Sequence, residues 1–71
     1  MTTRNYEFWA VLKDGSEILD QNLTLAEASD KAVKFVEENR NRFIFAGSYV
    51  MGELTDKSHA YMKNQYKEYI V

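Results

Sequence analysis

Between Asn5 and Lys13 the chain alternates with a period of two, with Tyr6, Phe8, Ala10 and Leu12 on one side and Glu7, Trp9, Val11 and Lys13 on the other. Apolar groups therefore stand on both faces of the same strand, a pattern that a small sheet covered on one side only does not accommodate. The chain has 71 residues, enough for one domain, and a domain of this size buries roughly 60% of the surface its unfolded chain exposes. It contains no Cys and a single His, so packing or self-association must supply the stability that disulfides or a metal give to many small domains.

The apolar fraction of 45%, with 14% aromatics, provides material for a core and separates this sequence from disordered chains. Its apolar residues are interrupted by charges, so no stretch approaches the roughly 18 needed to span a bilayer, and no charged-then-apolar signal segment opens it. The expectation is a soluble protein of the cytoplasm, a reducing compartment that the lack of cysteine fits. Eleven acidic and nine basic residues are spread along the chain for a net charge of −2. That balance gives no long-range pull toward phosphate backbones and lacks the dense acidic face of a DNA mimic.

Residues 1–71 show no repeat, no low-complexity tract and no proline, so they read as a single domain. After the first strand, Asp14-Gly15 suits the positive φ of a hairpin turn, and Glu17 to Leu23 returns as a second strand. Thr24-Leu25-Ala26-Glu27 has the spacing of a capping box, in which Thr24 accepts from the amide of Glu27 and Glu27 reaches back to the amide of Thr24. The helix it opens carries Leu25, Ala28, Ala32, Phe35 and Val36 as an apolar stripe with Val33 beside it, and ends at Asn39-Arg40-Asn41.

Phe43 to Met51 alternates again, with Phe43, Phe45, Gly47, Tyr49 and Met51 on one side and Ile44, Ala46, Ser48 and Val50 on the other. Gly47 is unusual there, since glycine in a strand marks a bulge or a close backbone approach. From Asp56 on, Tyr61, Met62, Gln65, Tyr66, Tyr69 and Ile70 fit a helical stripe, while Tyr66, Glu68 and Ile70 fit a short strand. A helix is preferred, with Asp56 as its cap and an uninterrupted run from Lys57 to Val71. The expected fold class is α+β in the order β-β-α-β-α, a three-stranded antiparallel sheet packed by one or two helices that cover one face.

The residues do not form a catalytic constellation. His59 lies in a polar stretch without Cys, glycine loop or repeated acidic spacing nearby, and reads as an ordinary surface or helix residue. One His falls short of the three or four ligands of a stable zinc site, so no metal or cofactor is expected. Glu37-Glu38 is an exposed helix end, because adjacent helical residues do not face each other. Asp14-Gly15-Ser16 lacks the spacing of a phosphate loop.

If Tyr6, Phe8, Phe43 and Phe45 face the helices, Trp9, Val11, Ile44 and Val50 lie on the open side, where a contiguous apolar patch marks an interface. The competing arrangement has the C-terminal helix crossing to cover that side. Three binding readings follow. In the first, the open face or a strand edge docks on a partner protein, with Tyr6 and Trp9 as aromatic anchors. In the second, the tyrosines Tyr61, Tyr66 and Tyr69 pair two copies of the chain as a homodimer. In the third, strand aromatics stack on single-stranded nucleic acid while Lys34, Arg40 and Arg42 contact phosphates, a reading disfavoured because these bases are few and lie among acids.

The order Phe8-Trp9-Ala10-Val11, hairpin, Leu23-Thr24-Leu25-Ala26-Glu27-Ala28, helix and aromatic strand, over about residues 6 to 51, resembles the small inhibitors of bacterial RNA polymerase made by short-tailed coliphages. In that family arginines on the third strand contact the polymerase, whereas Tyr49, Val50 and Met51 stand in the third strand here, so no binding residue carries over. The resemblance implies a phage-like protein that binds and modulates or inhibits a host protein in the bacterial cytoplasm. The expectation is a protein-interaction module, with a homodimeric accessory protein and a nucleic-acid binder as the second and third readings.

Overall fold

The hairpin forms where its turn chemistry places it. In the computed structural model, which describes residues 3–70, strand β1 (Tyr6–Leu12) and strand β2 (Glu17–Leu23) are joined by a short turn. Asp14 accepts hydrogen bonds from both the amide and the hydroxyl of Ser16, at 2.8 and 2.6 Å. Gly15 has φ +92°, a conformation that favours glycine, and a Cβ there would crowd the Ile70 side chain at 3.3 Å.

Helix α1 (Leu25–Glu38) opens with the expected capping box, the Thr24 hydroxyl accepting from the Glu27 amide at 3.1 Å and the Glu27 carboxylate accepting from the Thr24 amide at 2.9 Å. Strand β3 (Phe43–Val50) then pairs with β1, which makes β1 the central strand of an antiparallel sheet ordered β2-β1-β3. Helix α2 (Glu53–Gln65) and a 3-10 turn (Lys67–Tyr69) follow. The order β-β-α-β-α is the expected one, and no helix is long and apolar enough to cross a membrane among the described residues.

Two helix details differ from the sequence reading. Helix α2 starts at Glu53 with Gly52 at its N-cap and no side-chain cap bond, so Asp56 lies in its first turn and does not cap it. It also stops at Gln65, short of the expected Val71, which lies outside the described residues.

The two helices lie on opposite faces of the sheet, which corrects the expectation that they share one. On one face α1 packs Phe35 against Phe8 and Phe43, with ring centroids 5.5 and 5.7 Å apart, over Ala10, Leu12, Leu23 and Ala46. On the other face His59 of α2 lies on Trp9. Leu25, Val33 and Val36, placed in or beside the expected stripe of α1, stay largely exposed.

Two bulges decide which side chains reach which face. Along β1, Phe8 pairs with Asp20 but Tyr6 with Leu23, so β2 carries one extra residue there, beside Asn22 at φ +62°. The extra residue turns Leu23 inward to the α1 core. Likewise Val11 pairs with Phe45 and Leu12 with Phe43, leaving Ile44 as the inserted residue. Phe43 therefore joins α1, while Phe45 joins Trp9 on the α2 side. The simple alternation that put both phenylalanines on one face fails at that single residue.

Candidate functional site: a buried acid–base pair and an unguarded strand edge

The α2 face of the sheet is an aromatic layer with ionisable groups sealed into it. Trp9 is 1% exposed, and the His59 ring lies parallel on it with centroids 3.8 Å apart and planes 12° from parallel. Tyr49 closes the stack edge-on, 4.8 Å from His59 and 6.0 Å from Trp9. Gly47, the β3 partner of Trp9, leaves the room for this: a Cβ there would stand 3.1 Å from the Tyr49 hydroxyl oxygen. Neither the bulge nor the close backbone approach anticipated for this glycine is found at it; the Tyr49 side chain fills its space.

Glu7, two residues before Trp9 on the same face of β1, is completely buried. Its Oε1 accepts a long bond of 3.4 Å from Gln21, and its Oε2 lies 3.6 Å from Nδ1 of His59. Neither Glu7 Oε2 nor His59 Nε2 has a hydrogen-bond partner among the described residues. A buried polar atom left unpaired is expensive, so a small domain that holds two of them together invites a functional explanation. Burial pushes the His59 imidazole below its ordinary value and outweighs the opposing pull of Glu7, Asp56 and Glu17.

Glu17 of β2 links the layer to the end of α2. Its carboxylate accepts from the Trp9 indole N–H at 2.9 Å and from the Lys63 ammonium. The Lys63 hydrogen bond first, and then that of Trp9, hold the Glu17 carboxyl below its usual range.

These positions revise several expectations. Trp9, read as an anchor on an open face, and Val11, placed on that face beside it, are 1% and 2% exposed and belong to the packed layer. The cause is that the C-terminal helix crosses to cover their side. His59, read as an ordinary surface or helix residue, is the buried residue of α2. Among the described residues a helix lies on each face, and His59 and Tyr66 occupy the ring faces of Trp9 and Phe45 that base stacking would use. Arg40 and Arg42 are exposed in the turn before β3, and Lys34 pairs with Asp30 at 3.0 Å. Tyr6 is half-buried at the start of α1, beside Thr24 and Leu25.

The three tyrosines also separate. Tyr61 stays exposed on α2, whereas Tyr66 meets Phe45 at 4.8 Å and Tyr69 at 5.6 Å. Tyr66, Tyr69, Lys13, Phe43, Ile44 and Phe45 line a cleft of about 310 Å³. A second cleft of about 300 Å³ adjoins it through Ile44, Phe45 and Tyr66 and reaches Ile70. Both clefts flank β3, the edge strand that runs Phe-Ile-Phe-Ala-Gly-Ser-Tyr-Val without a charge or a proline. The other edge, β2, carries Glu17 and Asp20 and is broken by its bulge.

Glu7 is the residue of this buried cluster that the sequence did not single out. Its signal was present but faint: a carboxylate at the same strand parity as Trp9 and Val11. Among the described residues no group of three or more His, Cys, Asp and Glu side chains could hold a metal ion. No protein-family model, curated protein or solved structure matches this chain.

Proposed function

We propose that this domain is a protein-interaction module that docks its partner along the outer edge of β3 and the aromatic cleft beside it. The observation that carries this reading is the difference between the two sheet edges. Exposed strand edges pair readily with other chains, and natural proteins guard them with charge, proline or bulges. β2 has such guards, whereas the eight residues of β3 carry no charge or proline and are interrupted by a bulge only at Ile44. An extended protein segment added to β3 would gain main-chain hydrogen bonds, and its side chains would find Phe43, Ile44, Tyr66 and Tyr69 in the neighbouring cleft.

The finer reading is an accessory protein, phage-like, that modulates or inhibits a host protein, and it rests on the resemblance of residues 6 to 51 described above. A second copy of the chain is the alternative occupant, favoured by the closeness of Tyr66 and Tyr69 to the same edge.

The test is capture from bacterial lysate by the tagged domain and by its Val50→Lys variant at low and high salt. Val50 is 48% exposed at the end of β3, so a lysine there guards the edge without disturbing the core. The expected result is a stoichiometric protein that survives high salt with the parent domain and is lost with the variant. Equal capture by both contradicts the edge reading, and recovery of only the domain itself selects the second copy.

A further inference from the structure

The buried pair does something the docking edge does not require. Helix α2 is a weak packing element: it lacks a side-chain cap, Leu54 and Tyr61 stand exposed, and His59 is its buried residue. The one buried side chain by which it meets the sheet is thus a titratable ring laid against Trp9, beside the outer contacts of Tyr66 with Phe45 and Lys63 with Glu17. The groups facing that ring are Glu7 and Trp9 from β1, Glu17 from β2, Tyr49 from β3, and Asp56 and Lys63 from α2 itself.

We propose that α2 is a proton-released cover, in which protonation of His59 frees its ring from Trp9 and opens the Trp9, Val11, Phe45 and Tyr49 face of the sheet. The reason is geometric. An imidazolium needs acceptors for two N–H groups, but Nε2 is buried with none, and at 3.6 Å the Glu7 Oε2 is beyond hydrogen-bonding reach of Nδ1. Water supplies both acceptors once the ring leaves. The neutral ring carries one N–H instead of two and no charge, so it leaves one donor fewer unpaired while it stacks on the indole.

The sign follows from linkage. Because burial lowers the His59 value in the docked state, the undocked state binds more protons as pH falls below the ordinary value of 6.5. Docking is therefore favoured above that value and weakens through the acid window below it. Glu17, held below its ordinary value by Lys63, keeps its charge when His59 has taken up a proton. The salt bridge from Lys63 to Glu17 thus tethers the released helix at its far end.

Trp9 is the sole tryptophan of the sequence, so its fluorescence reports this layer alone. The experiment follows Trp9 emission in the full chain from neutral to mildly acid pH, with the NMR resonances of Phe8 and Phe35 monitoring the α1 layer. The expected result is a shift of emission to longer wavelength, with its midpoint below 6.5, while the Phe8 and Phe35 resonances stay dispersed. His59→Phe keeps a ring on the indole and removes the transition. Glu7→Gln removes a charge that favours the imidazolium in the docked state, so protonation releases the cover more readily and the midpoint moves to higher pH, which keeps the test informative should the first variant fail to fold. Emission that does not respond to acid, a response that coincides with loss of the α1 layer, or a midpoint unmoved by Glu7→Gln overturns the proposal.

Discussion

The two faces of one sheet are built on different chemistry. Under α1 the contacts are apolar, phenylalanine on phenylalanine, and the helix carries a complete capping box. Under α2 the indole of Trp9 meets an imidazole, a fully buried carboxylate lies beside them, and the helix begins without a side-chain cap. Apolar burial contributes to stability at every pH, whereas a layer held by a titratable ring is stable only while that ring has its docked charge state. The first arrangement makes a scaffold and the second makes an element that conditions can move.

The sharpest way to break this comparison is to remove an anchor from each side. Phe35→Ala leaves a cavity between α1 and the sheet, and we expect a loss of about 3 to 5 kcal/mol in chemical denaturation, enough to unfold much of a domain this small. His59→Ala strips α2 of its buried anchor and leaves a cavity on the Trp9 indole. A loss of about 3 kcal/mol is expected from the lost ring packing, and it is concentrated in α2, whose amides then exchange with solvent while those of α1 remain protected. If His59→Ala instead destabilises both helices equally, the two faces form one cooperative unit and the contrast fails.

A smaller effect tests the capping box. Thr24→Ala removes the acceptor for the Glu27 amide and should lower stability by about 1 kcal/mol, read as a reduced melting temperature with α2 unaffected. Smallest of all is Arg4→Ala. The Arg4 to Glu27 ion pair is exposed on both sides, and its loss should leave the melting temperature unchanged within error.

How much of this was legible in the sequence depends on which face is considered. The capped helix, the Asp14-Gly15 turn and the third strand announce themselves through local chemistry that acts within a few residues. The bulges at Asn22 and Ile44 do not, because one inserted residue leaves strand composition unchanged while it reverses every later side chain. That is why Phe45 was assigned to the wrong face.

Helix α2 was recognisable as a helix, but its docking side was not. Its buried residue is a histidine, so no apolar stripe marks the face that meets the sheet. Glu7 and His59 lie at opposite ends of the chain, and only the crossing of α2 over β1 brings them together. The apolar groups on both sides of β1 did carry the message that a second cover was needed. They could not tell whether that cover was a partner or the chain's own last helix.

The measurement that bears most directly on this account is native-state hydrogen exchange of the whole chain at neutral pH, followed residue by residue under low denaturant. The account predicts that amides of β1 and α1 exchange only through global unfolding, while those of α2 exchange through a separate opening of lower free energy. A single free energy shared by α1 and α2 would contradict it.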